Sequence, residues 1–148
     1  MSRPRLRTLL VVLLLVVPAT VTAAAATQQA KVTIQDVDVD PDPAIVGETV
    51  TVAPTIVNQP SSPSEYDLFY VQVSGLSSET ASGTKTVRNL GTLTPGASLR
   101  VPFDLTFEQA GVHRFRVEVY GEDETGENIR LEYPVTVKVR DEHPDVSI

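Results

Sequence analysis

The sequence predicts an all-β domain, an immunoglobulin-like or fibronectin-like β-sandwich of about seven strands, preceded by an N-terminal signal helix. Three observations predict it. Apolar residues recur at every second position in one run after another, and beyond residue 26 no run keeps the 3.6 period over helical length. Clusters of Gly, Pro, Asn and Ser interrupt these runs about every ten residues, the spacing of short antiparallel strands. The two longest runs, 113–120 and 129–140, flank the polar segment Gly121–Asn128 and read as a hairpin. One face of that hairpin is apolar (His113, Phe115, Val117, Val119; Ile129, Leu131, Tyr133, Val135, Val137, Val139) and the other charged. A hairpin with one apolar side needs a facing layer.

Met1 to Val17 has the pattern of an export signal. Arg3, Arg5 and Arg7 precede the apolar run Leu9–Val17, Pro18 breaks it, and Ala24-Ala25-Ala26 offers small residues for cleavage. The expected division is a signal peptide over 1–26, a sandwich domain over 27–140, and 141–148 as a linker or the start of a further repeat. The alternative for 1–26 is an uncleaved anchor, since the weakly apolar run reaches the roughly 18 residues that span a bilayer. No Arg-Arg pair marks the twin-arginine route and no Cys is present for a lipid anchor or a disulfide, so packing and backbone pairing must hold the domain.

Lys31–Val39 is the first strand. Its apolar phase slips at Gln35-Asp36, which predicts a bulge or a change of sheet. Asp40-Pro41-Asp42-Pro43 stops pairing, and Ala44–Glu48 is a tight connection with Gly47 at a positive φ. Thr49–Val57 is the second strand, β-branched throughout, with Pro54 implying an edge or a bulge. Asn58–Ser64 is a loop. Tyr66–Val73 is the third strand, with Leu68 and Tyr70 on one side and Phe69, Val71 and Val73 on the other, as for a strand that is either central or covered on both faces. Gly75–Gly83 reads as loop and Thr84–Leu90 as a weak edge strand. The turn Gly91–Ser98 carries a buried Leu93. Leu99, Val101, Phe103 and Leu105 alternate with polar residues in the fifth strand, and Gln109-Ala110-Gly111 leads into the hairpin. The first, second and fifth strands are expected in one sheet, the third strand and the hairpin in the other.

The chain carries 19 acidic against 12 basic residues, a net charge of −7, and −10 once the three signal arginines are removed. That surface repels nucleic acid and anionic lipid. Few Lys and abundant acidic residues, Thr and Val suit a protein kept hydrated in high salt, so a halophilic source is expected. No Asn-x-Ser/Thr sequon is present.

Catalytic patterns fail one by one. There is no Cys, no Gly-x-Ser-x-Gly turn and no Gly-rich phosphate loop; His113 is expected inward on a core strand, and His143 lies in the tail. The acidic residues fall on predicted turns and outward positions, whereas glycoside hydrolysis needs one buried acid. The weak metal candidates are Asp36, Asp38, Asp40 and Asp42, whose alternation lines carboxylates along one face of an extended segment, as calcium prefers. An EF-hand beginning at Asp36 meets Pro41 where Gly is required, and one beginning at Asp38 meets Pro43, so only an intermodular calcium site, shared with Glu122, Asp123 or Glu124, stays open beside a solvated acidic edge.

Val32-Thr33-Ile34, Asp40-Pro41-Asp42-Pro43, Val46–Val52 and Ile56-Val57-Asn58 together resemble the start of a CARDB-type domain, a cell-adhesion-related immunoglobulin-like module of exported bacterial and archaeal proteins. Leu90–Ser98 is similar to the family's turn before the fifth strand, and Ala110-Gly111-Val112-His113 to its approach to the sixth. The resemblance implies a structural or adhesive role as one of several modules, and no catalytic residues. Val146-Ser147-Ile148 echoes Val32-Thr33-Ile34, which reads as the first residues of a second repeat; the alternative is a polar tail.

The functional expectation is therefore a non-catalytic extracellular module of the cell envelope, part of a multi-module surface or S-layer-associated protein, exported by the general secretory route. Its expected partners are other protein modules or cell-surface components, with no nucleic acid, and with membrane contact only through an uncleaved N-terminus. The alternative is a glycan- or peptide-binding accessory module of an exported enzyme, reading its ligand at the loop end formed by Gln59–Glu65 and Glu122–Asn128. Tyr66 and Tyr120 are the aromatics near that end.

Overall fold

The computed structural model describes residues 29–141. The export segment, the tail from 142 onward and His143 lie outside them. Ten strands form two sheets: β1 (Val32–Asp40), β2 (Ala44–Ile45), β3 (Thr49–Asn58), β4 (Tyr66–Ser74), β5 (Ala81–Gly83), β6 (Thr86–Leu93), β7 (Ser98–Arg100), β8 (Phe103–Phe107), β9 (Gly111–Asp123) and β10 (Asn128–Arg140). The first sheet has the order β1-β3-β8-β5, with β7 also on β3; the second runs β2-β10-β9-β4-β6. This is the expected immunoglobulin-like sandwich, with the strands divided between sheets as the alternation predicts.

The core lies between the sheets. Val50, Val52, Ile56, Phe103, Leu105 and Phe107 of the first sheet meet Tyr66, Leu68, Val71, Phe115, Val117 and Val137 of the second in one buried cluster. Each such side chain contributes roughly 1.5–3 kcal/mol by leaving water, enough for a disulfide-free domain of this size. In the hairpin, Phe115 pairs with Val135, Val117 with Tyr133 and Val119 with Leu131, which puts these apolar positions on the inner face. The strand beginning at Leu99 also supplies Phe107, a fully buried residue beyond the alternation read from the sequence.

Several expectations need correction. Ala44–Glu48 is more than a connection: β2 pairs in parallel with the end of β10, and Gly47, at φ 79°, then turns the chain. Gly75–Gly83 is not all loop, because β5 closes the first sheet against β8. Pro54 is not at an edge. It lies in a strand paired on both sides, where the neighbouring chain breaks between β7 and β8, so its missing N–H removes no ladder bond and its carbonyl accepts from Val101 N at 3.0 Å. The slip at Gln35 is a bulge within one sheet, between Ile34 and Asp36, and not a change of sheet.

Strand β4 explains its own two-sided apolar pattern differently from the sequence reading. It is central, as expected, but its register slips between Leu68 and Tyr70 against both neighbours. The extra residue, Phe69, shifts the phase, so Leu68 and Val71 both face the core while Phe69 and Tyr70 are turned outward.

The strand directions define two poles. The chain arrives beside the β9–β10 turn, where Ala30 N donates to Asp123 Oδ2 at 3.2 Å. Strand β10 runs away from that turn and ends at Arg140 beside Ile45. Arrival and departure are thus separated by the length of a 13-residue strand, roughly 40 Å. These are called the turn pole and the far pole below.

Candidate functional site

At the turn pole two loops are stitched together. Asn58 is fully buried at the end of β3, and its Nδ2 donates to the carbonyls of Ser64 and Leu93, each at 2.9 Å. Its Oδ1 has no partner among the described residues. Ser62 Oγ accepts from Lys31 N at 3.0 Å and donates to Ser64 O; Ser64 Oγ accepts from Glu124 N at 3.1 Å. The segments Gln59–Glu65 and Glu122–Asn128 are therefore brought together as expected from the sequence. A shallow cleft of about 290 Å³ between them is lined by Glu65, Asp67, Thr92, Glu122, Asp123 and Glu124.

Asp123 is the exception to the solvated acidic turn that the sequence suggests. It is 5% exposed, and Oδ1 accepts from Thr125 N (2.9 Å), Thr125 Oγ1 and Glu127 N (3.1 Å). Burial pushes its carboxyl upward, but these bonds and the one from Ala30 outweigh burial and hold it below the ordinary value. Its work is to close the turn and moor the incoming chain. Tyr66, which the sequence placed near this end for stacking, is fully buried; its hydroxyl donates to Ile129 O at 2.8 Å. Burial, followed by the nearby Tyr120, raises its pKa above that of a free phenol.

A second buried acid lies on the outer face of the second sheet. Glu118 is 3% exposed although it points away from the core. Gln72 Nε2, Arg116 Nε (3.0 Å) and Arg130 Nη2 (2.9 Å) all donate to it. Glu132 is its partner in the pairing with β10, and Arg130 reaches that carboxylate too, at 3.7 Å. The Gln72 hydrogen bond, then those from the two arginines, hold Glu118 below the usual carboxylate range. With every donor fixed on it, Glu118 is a clamp for three strands and not a proton-transfer group.

Beside this clamp the register sets Arg130, Tyr120, Tyr70 and Arg88 in a row across β10, β9, β4 and β6. The Tyr70 and Tyr120 rings stack at 5.3 Å, Phe69 lies 5.9 Å from Tyr120, and the Arg88 guanidinium sits 5.6 Å over Tyr70. Sequence reasoning missed this group. Tyr70 and Tyr120 are 50 positions apart, and the bulge that aligns them has no local signature; the one available signal was an aromatic at an outward position on each of two long strands.

The weak calcium candidates lie along the edge strand of the first sheet. Asp36, Asp38, Asp40 and Asp42 are all exposed along β1 and the turn after it, and Asp38 faces Arg100 at 3.9 Å. Within one copy they run toward the far pole, whereas Glu122–Glu124 form the turn pole. Among the described residues no three His, Asp or Glu side chains are grouped to hold a metal. His113 packs on Phe107 at 4.9 Å, and its Nε2 meets the Gln109 carbonyl at 2.7 Å. A carbonyl only accepts, so that nitrogen carries the proton and serves no nucleophile.

No family model matches the chain, and no curated protein matches it. Among solved structures, the fold is similar to a cohesin module from the family 33 glycoside hydrolase of Clostridium perfringens ATCC13124, at 14% identity and a TM-score of 0.45, covering 78% of this chain and all of that one. It is also similar to a FixG-related protein from Vibrio parahaemolyticus, at 18% identity and a TM-score of 0.37, covering 75% and 98%. A conjugate transposon protein from Bacteroides vulgatus matches at 18% identity and a TM-score of 0.26, covering 81% and 92%. These are distant likenesses of β-rich form; the sandwich itself is defined by its two sheets.

Proposed function

We propose that this domain is a non-catalytic structural or adhesive module of the cell envelope, exported by the general secretory route and working beside other modules in a surface or S-layer-associated assembly. The observation that carries this reading is the pole-to-pole path of the chain: it arrives moored to Asp123 and departs from the end of β10 at the opposite pole. Such a path lets copies or unlike modules follow one another end to end without folding back. The buried polar groups support it. Asn58, Asp123 and Glu118 are occupied in holding strands and loops together. The export-signal pattern and the CARDB resemblance agree with it.

The test is fractionation of source cells with an antibody to the domain, together with protease treatment of intact cells. Envelope-associated protein that is digested from outside is the expected result. Protein retained in the cytosol would overturn the reading.

A further inference from the structure

We propose that the outer face of the second sheet is a carbohydrate-binding platform for uncharged pyranose rings of a polysaccharide. The inference deepens the adhesive reading above, on which it rests, by naming the ligand class. Phe69 is 36% exposed, a large apolar side chain turned to solvent by the β4 bulge next to the stacked Tyr70 and Tyr120. Beside these rings runs a groove of about 550 Å³ lined by Asp67, Leu68, Phe69, Arg88, Asn89 and Gly91. Asn89 is held there at φ 57°, the one non-glycine residue with positive φ among those described. Asn tolerates that region better than other side-chain-bearing residues, and here it accommodates the slip of β6 against β4.

The chemistry selects the ligand. A pyranose ring has an apolar face of C–H groups and a rim of hydroxyls. The exposed Phe69 ring beside the Tyr70–Tyr120 pair fits the first, and a carboxylate, an amide and a guanidinium within one groove fit the second. The net charge of −7 disfavours polyanions such as nucleic acid or anionic lipid. A peptide would be read by strand addition at an edge or by apolar pockets, whereas the rings lie on the face of central strands. A second copy of the chain is disfavoured by area, because a stable dimer buries on the order of 1,200 Å² or more and this patch offers one half-exposed Phe and two partly covered Tyr.

The full chain is to be titrated by calorimetry with cellohexaose, chitohexaose and mannohexaose. Saturable binding of at least one is expected, weakened roughly tenfold or more in Phe69→Ala and Tyr120→Ala and retained in Tyr120→Phe. Thermal melts of the same variants separate lost binding from lost folding, and Phe69→Ala, at an exposed position, is expected to melt like the parent. No binding of any of the three at about 5 mM overturns the proposal, as does equal binding by the parent and Phe69→Ala. It is likewise overturned by a dimer that Phe69→Ala dissociates, or by a peptide competitor that alone occupies the face. Failure here leaves the envelope reading to its own fractionation test.

Discussion

Replacing Gly121 with alanine should be among the most damaging single changes in the domain. Gly121 sits on β9 opposite Leu68, where Phe69 is inserted in β4. A Cβ built there lies 2.5 Å from Tyr66 Cζ and 2.7 Å from its hydroxyl oxygen, and overlaps the Asp67 carbonyl oxygen. Ordinary contacts begin near 3.4 Å, so the ring and the β4 backbone must each retreat by roughly 1 Å. Neither has room, because Tyr66 is fully buried and its hydroxyl is bonded to Ile129 O. Overpacking of this kind costs about 1–3 kcal/mol, and displacing the phenol strands a buried donor and acceptor for about another 1–3 kcal/mol. The expected loss is therefore about 2–6 kcal/mol. For a domain of this size that lowers Tm by roughly 8–24 °C. Urea unfolding with linear extrapolation measures it, and Tyr66→Leu should recover part of the loss, since the two sites are in contact. A Gly121→Ala protein within about 1 kcal/mol of the parent would refute the notch described here.

Asn58→Ala removes two buried hydrogen bonds, taking the Asn58 donor from the Leu93 carbonyl and leaving the Ser64 carbonyl with Ser62 Oγ; a loss of about 2–4 kcal/mol in urea unfolding is expected. Glu118 and Asp123 have folded pKa values below their ordinary ones. Their stabilisation is therefore complete above the unfolded values, about 4.3 and 3.9, and is lost as pH falls through the lower folded values. Urea midpoints measured downward from neutral pH should fall in this acid range, and less steeply in Glu118→Gln and Asp123→Asn, each of which starts from a lower stability. Tyr66 has the opposite sign. Its raised folded pKa leaves stability intact below about pH 10, the free phenol value, and erodes it above as the unfolded chain ionises. Tyr66→Phe should abolish that component of the alkaline loss while lowering stability by about 1–2 kcal/mol at neutral pH.

Much of the fold was legible because one rule, alternation, acts wherever one face of a strand is buried. The hairpin register, the division of strands between sheets and the bulge near Asp36 all follow from apolar phase. What alternation does not encode was missed. Strands β2 and β5 are two and three residues long, too short for a period. At Phe69 a one-residue insertion changes the meaning of every later position, and only the neighbours β6 and β9 reveal it. Polar residues were the hardest to judge. Asp123 and Glu118 read as turn and surface acids, because a sequence states a charge without stating which distant Ala30, Gln72 or Arg130 will surround it. The juxtaposition of the two loops at the turn pole was anticipated; the Arg–Tyr–Tyr–Arg row was not.

The separation of the two ends of the described domain, residues 29 and 141, has a mechanical consequence. Tension applied through the termini pulls β1 and β10 along their own axes and in opposite senses. It therefore loads the β1–β3 and β10–β9 hydrogen bonds in shear, all at once, instead of opening them one by one from an end. Strand β2 adds a latch, since it follows β1 in the chain yet pairs with β10, and Val46 N donates to Arg140 O at 2.9 Å. Pulled from these two points, the domain should hold until the latch and the sheared ladders give way together, in a single abrupt extension. Force spectroscopy on the termini would show this as one high-force step, and gradual low-force unzipping would contradict it.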